Sequence, residues 1–233
     1  MIPLHDDNPT TIKPLLTISF IVACVLVFLW QVSLGTRGFE AAVFSLGVIP
    51  ATLLGDKVLP PELALVPPAM TVFTSMFLHG GWMHLIGNML YLWIFGNNIE
   101  DAMGHLRFVV FYLLCGIAAV YAQALPNMDS TIPMIGASGA ISGVLGAYLL
   151  LYPRAHVLVM VPLGFYMRTM QLPAMVVLGF WFVLQLVNSA LADPGKCGVA
   201  FGAHIGGFIA GMVLLPLFKY RHVRLFAPPR HRR

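Results

Sequence analysis

Charge is what this chain of 233 residues has least of: Asp, Glu, Lys and Arg make up 9% of it, against roughly 25% in an ordinary soluble domain. Hydrophobic residues supply 59%, more apolar side chain than a water-facing surface can hide, so lipid is the solvent for most of the chain. Cysteine is scarce as well. Cys24, Cys115 and Cys197 lack metal-ligand spacing; the first two lie deep in apolar runs, where packing is the expected role, and Cys197 lies in a loop without an obvious partner. The net charge of +4 is not gathered into an aromatic-interleaved basic groove, which excludes a nucleic-acid partner. No internal repeat is present, so an inverted-repeat transporter finds no support. The opening MIPLHDDNPT carries two acids and no basic segment, so the first apolar run reads as a retained span and not as a signal peptide.

Six hydrophobic segments read as spans: about 14–32, 82–97, 106–124, 138–152, 172–191 and 201–218. They predict an all-α polytopic membrane protein with six transmembrane helices. The fourth rises only about 22 Å against a hydrocarbon layer of roughly 30 Å. One of its ends is therefore expected below the lipid surface, sheltered by protein or lining a wet cavity. An even number of spans puts both termini on one side. Ten basic residues, from Lys13 to Arg233, then share that side, against Arg37, Lys57 and Lys196 opposite. The positive-inside rule makes both termini cytoplasmic.

The expected organisation is a short cytoplasmic N-terminus (1–13), a six-helix core (14–218) with a long first loop (33–81) partly in the outer interface, and a basic cytoplasmic tail (219–233). Pro153 and Pro173 read as punctuation around a loop. Trp30, Trp82, Tyr91, Trp93, Phe95 and Trp181 read as lipid-facing packing and interfacial anchors. Glu100 and Asp101 fall at the inner interface, with an inner basic side chain as the expected partner of Glu100.

Three polar groups remain that lipid disfavours: His79, His84 and Asn88 at the start of span two, Ser138 and Ser142 at the start of span four, and His204 near the start of span six. These three spans run in the same direction, so their starts share one outward-facing depth and can meet in one cavity. His84 and Asn88, four apart, occupy one helix face. Ser138 stands in Gly136-Ala137-Ser138-Gly139, where a helix begins with unpaired N–H groups and a positive dipole end, features that stabilise an oxyanion. Alone, Ser138 is an ordinary helix-capping serine and His204 an ordinary buried hydrogen-bonder. Together they make a nucleophile and its base. No acid is placed to complete a triad, since Glu100 and Asp101 lie at the other face and Asp129 and Asp193 in loops. A Ser138–His204 dyad is expected, with His84, Asn88 and the Ser138 backbone N–H as oxyanion donors. The competing readings are a channel or small-solute transporter using the same polar groups, and an inactive membrane-binding relative.

With those motifs in view, the chain resembles the rhomboid family of intramembrane serine proteases, bacterial type. The resemblance rests on Gly136-Ala137-Ser138-Gly139, on Ala203-His204 followed by Gly207 and Gly211, on His79, His84 and Asn88 in HGGWMHLIGN, and on the run Asn88, Leu92, Gly96 and Glu100. It implies a six-helix core, Ser138 as nucleophile, His204 as general base, Asn88 with His84 as oxyanion stabilisers, and His79, Gly136 and Gly139 as support. It further implies access through span five and the loop 192–200, transmembrane protein substrates with an unstable helix near the cut, and no metal or organic cofactor. Two features depart from the family: Met70-Thr71-Val72-Phe73-Thr74 lacks the Trp-Arg pair of many members, and Ser142 stands where some carry a tyrosine against the base.

Overall fold

The computed structural model describes residues 1–163, 166–192 and 198–227. Cys197, most of the loop 192–200 and the last six residues of the basic tail lie outside the described residues. In chain order the elements are β1 (Ile2–Asp6), α1 (Leu15–Ser33), α2 (Gly35–Leu46), α3 (Pro50–Leu53), α4 (Pro68–Thr74), α5 (Trp82–Tyr91), α6 (Asn97–Met103), α7 (His105–Ala124), α8 (Ser138–Leu151), β2 (His156–Leu163), β3 (Tyr166–Pro173), α9 (Ala174–Leu191) and α10 (Phe201–Phe218).

Helix α8 is the hub of the bundle. Every residue from Gly139 to Tyr148 is buried, so this helix is wrapped by protein on all sides, and its apolar sequence carries no stripe. The outer helices behave differently. In α1 the buried residues are Thr17, Cys24, Phe28 and Gln31, a single line along one face, while Leu15, Val22, Leu26 and Leu29 are exposed. A helix that is apolar all round yet buried along one line has lipid as its other partner.

By length and composition, four helical stretches can cross a membrane: Leu15–Ser33, His105–Asn127, Ala174–Leu191 and Phe201–Phe218. The chain is thus a multi-pass, helix-bundle membrane protein, but six separate full-length spans are not what the helices give. The fourth expected span is only 14 residues long. The second runs through α5, a π-helical turn at Leu92–Gly96, and α6. That π turn leaves Asn88, Leu92, Gly96 and Glu100 all buried.

Packing around α8 depends on absent side chains. A Cβ on Gly207 would collide with the carbonyl oxygen of Gly139, and one on Gly211 with that of Gly143. Helices α8 and α10 therefore touch backbone to backbone, the close approach that small residues permit. That seam brings the first turns of both helices side by side.

At the opposite end the chain forms a three-stranded antiparallel sheet in the order β1-β2-β3. Ile2 pairs with Met160 and Asp6 with Val157; His156 pairs with Pro173 and Leu163 with Tyr166. The stretch between Pro153 and Pro173 is thus largely a hairpin and not a plain loop. Its eight-residue strands meet a third strand drawn from the far end of the sequence, a pairing that local composition does not announce.

The N-terminal segment is tied to α6 by carboxylates. Asp101 Oδ1 accepts hydrogen bonds from Thr11 N–H (2.9 Å), Thr11 Oγ (2.6 Å) and Ile12 N–H (2.9 Å). Fully buried Glu100 accepts from Leu16 N–H (2.9 Å), Thr17 N–H (2.8 Å) and Thr17 Oγ (2.7 Å), and also meets His105 Nδ1. Helix α1 has no capping side chain of its own at Pro14, so Glu100 supplies from another helix the anion that its N-terminus requires. The partners of Glu100 are accordingly the basic side chain of His105, as expected, and a helix end besides.

Candidate active site

Ser138 is the first residue of α8, after Ala137 at the cap position. Two anchors hold the approach to it. Met134 and Val48 exchange backbone hydrogen bonds of 3.0 and 2.7 Å, and the Gly136 N–H donates to the Ser75 carbonyl (2.9 Å). Gly136 has φ +122°, a conformation that side-chain-bearing residues rarely adopt. The chain can therefore turn sharply and present the Ser138 hydroxyl together with the unpaired N–H groups of a first helical turn. A cleft of about 370 Å³, its open mouth included, is lined here by Ser75, Ile135, Gly136, Ser138, Gly139 and Ala203 among others.

His84 lies in the first turn of α5. Its Nδ1 accepts the Gly80 N–H at 3.2 Å, so in the neutral ring the proton sits on Nε2. That nitrogen would lie 2.8 Å from a Cβ placed on Gly136, and Ser138 Oγ lies 3.7 Å from the same point. A donor is thus turned toward the nucleophile's neighbourhood. Asn88, one turn further along the same face, is 8% exposed, and its Nδ2 has no hydrogen-bond partner. Leaving a buried donor unpaired costs about 1–3 kcal/mol.

His79 is fully buried beside His84, with ring centroids 5.2 Å apart. Its N–H donates to Gln31 Oε1 (3.0 Å), and its Nδ1 faces the Phe77 carbonyl (3.2 Å). These bonds bind the loop before α5 to the C-terminal end of α1.

His204 sits on the first turn of α10, next to Ala203, which lines the cleft. Its Nδ1 lies 2.8 Å from Gln185 Oε1 on α9. The rings of Trp181 and Phe201 flank it at 5.8 and 6.4 Å. Trp181, expected as a lipid-facing anchor, therefore packs on the histidine, and Phe95 is fully buried against Tyr148. Trp30, Trp82 and Trp93 are exposed as lipid-facing residues would be.

The structure brings Ser138, Gly136 and Gly139 to one cleft, with the His84 ring against Gly136 and His204 next to Ala203; among the described residues, no hydrogen bond joins Ser138 to His204. Ser142 Oγ donates back to the Ser138 carbonyl at 2.6 Å. Cys24 and Cys115 are buried free thiols. Among the described residues, no cluster of three His, Cys, Asp or Glu side chains could hold a metal.

Reading the sequence for buried polar groups caught the histidines and serines but passed over three amides. Gln31 holds His79, Gln123 Oε1 accepts from the Ala203 N–H (3.3 Å), and Gln185 meets His204. The signal was available in the same rule, since each amide interrupts an apolar helix.

Comparison with known proteins adds an independent observation. Residues 68–221 match the model of the Rhomboid domain. The chain is 28% identical over 186 residues to Rhomboid protein 1, mitochondrial, of Saccharomyces cerevisiae, covering 76% of this chain and 50% of the yeast protein. It is 30% identical over 208 residues to the Rhomboid protease GluP of Bacillus subtilis, covering 85% of this chain and 34% of that protein. With the Rhomboid protease AarA of Providencia stuartii it shares 26% identity over 236 residues, 90% of this chain and 78% of that protein. The chain spans about half the length of several relatives, including the yeast protein and two from Arabidopsis thaliana.

Proposed function

Because this chain belongs to the rhomboid family, we propose that it is an intramembrane serine endopeptidase that cuts membrane proteins in or beside their transmembrane segments. Ser138 Oγ attacks the scissile carbonyl carbon while His204 takes the hydroxyl proton. The resulting oxyanion is held by the Ser138 backbone N–H, His84 Nε2–H and Asn88 Nδ2. Collapse of that intermediate releases the amine product, protonated by His204, and leaves an acyl-enzyme that water hydrolyses. His79, Gly136 and Gly139 shape the loop and the helix start.

The observation that supports this reading is a donor turned toward the glycine two residues before the serine, with a second, unpaired donor on the same helix face. His84 offers an N–H toward the Ser138 cleft, and Asn88 holds an unpaired, buried amide one turn away. Donors fixed in advance where negative charge will develop are what acyl transfer requires.

The bilayer arrangement that goes with this activity is a bacterial-type six-span core in the plasma membrane, with both termini cytoplasmic and the cleft open to the outer side. In it α8 and the broken α5–α6 helix count as short spans, and residues 33–81 lie partly in the outer interface. The substrates are transmembrane proteins with an unstable helix near the cut, reaching Ser138 past span five, and no cofactor takes part.

Two measurements test the assignment: labelling of detergent-solubilised protein by a fluorophosphonate, and cleavage of a membrane-embedded reporter. Both are expected for the native chain and lost in Ser138→Ala. Labelling that survives equally in Ser138→Ala and His204→Ala overturns it.

A further inference from the structure

A base without an orienting partner spends much of its time in the wrong tautomer or rotamer, and the sequence offers no acid for His204. Gln185 fills that position with a neutral group. It is the amide in the α9 run FWFVLQLV, 8% exposed. Its Nε2 donates to the Trp181 carbonyl one turn earlier at 3.3 Å. That bond fixes the amide's direction: the atom facing His204 is the carbonyl oxygen, 2.8 Å from Nδ1. An oxygen of this kind only accepts, so Nδ1 must carry the ring proton.

We propose that Gln185 is the positioning residue of His204, holding Nδ1–H so that Nε2 is the bare nitrogen that receives the Ser138 proton. The proposal rests on the protease reading above. The proton balance is simple. As Ser138 Oγ bonds to the carbonyl carbon, its proton passes to Nε2 and the ring becomes an imidazolium with both nitrogens protonated. Nδ1–H stays on Gln185 throughout, and the Nε2 proton leaves with the amine product. The Trp181 and Phe201 rings limit how far the imidazole can turn, while the amide selects which nitrogen faces the work. An amide does for orientation what a carboxylate does in a triad, without placing a charge in the lipid-depth core.

The test joins kinetics to spectroscopy. In native protein carrying ¹⁵N-histidine, with the His204 signal identified by its loss in His204→Ala, the neutral ring is expected as the Nδ1–H tautomer. Gln185→Leu is expected to mix the tautomers and to lower kcat on a reporter substrate by about a hundredfold or more, with KM little changed. Gln185→Glu keeps an acceptor in place; it is expected to retain the tautomer and most of kcat, and to move the acidic limb of the kcat/KM profile to higher pH. A native His204 protonated on Nε2 overturns the proposal even if Gln185→Leu does not fold. So does a folded Gln185→Leu with native kcat and tautomer. If the native chain cuts nothing, yet the tautomer still follows residue 185, the protease reading falls and the positioning role stands.

Discussion

The imidazole of His84 occupies the space in which any residue other than glycine at position 136 would carry its Cβ: its Cε1 and Nε2 lie 2.7 and 2.8 Å from that point. Gly136 is therefore required twice, for its backbone angle and for the room it leaves. Gly136→Ala is expected to cost about 1–3 kcal/mol in strain and, by pushing His84 aside, to reduce reporter cleavage at least about tenfold. Per folded molecule, the double variant Gly136→Ala/His84→Ala is then expected to lose less than the product of the two single losses, because both changes remove one donor and only the backbone strain is added. Additive losses in that cycle would show that the two residues act separately.

Asn88 gives a prediction in which stability and activity part. Its Nδ2 is buried without a partner, so the side chain contributes little to the folded state that an alanine would lose. Asn88→Ala is expected to leave the thermal midpoint in detergent unchanged or raised, and to lower kcat by about 10²–10³, the usual loss for one oxyanion donor. A fall in stability with kcat intact would make Asn88 a structural residue.

Spans were legible in the sequence because hydropathy is local: α1, α7, α9 and α10 lie within a residue or two of the expected limits. The candidate site was legible for a different reason, since lipid makes each buried His, Asn or Ser conspicuous. Contacts between distant segments were not legible. Strand β1 pairs with β2, which lies far along the chain beyond helices α1 to α8, and the run HVLVMVPL reads equally well as apolar loop or strand until that partner is known. Glu100 looked interfacial because a carboxylate seldom enters the core alone; the orphan N–H groups of α1 that satisfy it belong to a segment more than eighty residues away. Gln185 was passed over because an uncharged amide draws less attention than an imidazole. Its partner lies on the next helix.

The α8–α10 seam predicts a contrast between glycines. Gly207→Ala places a methyl group against the Gly139 carbonyl, whereas a Cβ on Gly179 in α9 meets nothing within 4 Å. Gly207→Ala is expected to destabilise the bundle by about 1–3 kcal/mol. Gly179→Ala is expected to be neutral or stabilising, since alanine is the better helix former by up to about 1 kcal/mol. Detergent unfolding of the two variants decides it; equal effects would mean that the seam has more slack than its geometry indicates.

Glu100 acts as a cap delivered from another helix. Glu100→Ala leaves Leu16 N–H, Thr17 N–H and Thr17 Oγ without their acceptor. A loss of about 1–3 kcal/mol is expected, as for other lost caps and unpaired buried donors. Because Glu100 lies on α6, beyond the π turn from His84 and Asn88, reporter cleavage per folded molecule is expected to stay native. A large fall in kcat at unchanged folded fraction would place Glu100 in the working site instead.

The carboxyl of Asp6 makes stability depend on pH in a direction opposite to that of most acids. Burial raises its pKa from the ordinary 3.8 to about 6, against the opposing hydrogen bond from Tyr148 OH (2.7 Å) and the nearby charge of His5. The folded protein thus holds this proton more tightly than the unfolded chain, and between those values the native state binds more protons. Stability from this group is full below pH 3.8 and declines as pH rises through about 6, by at most about 3 kcal/mol. In Asp6→Asn the side chain stays uncharged at every pH and its oxygen still accepts from Tyr148. Detergent unfolding midpoints across pH 4 to 7 are therefore expected to fall more steeply for the native protein than for Asp6→Asn, the gap opening within that window and levelling above it. Parallel curves for the two proteins would mean that Asp6 is already solvated as a carboxylate, with water reaching the junction of β1, α6 and α8.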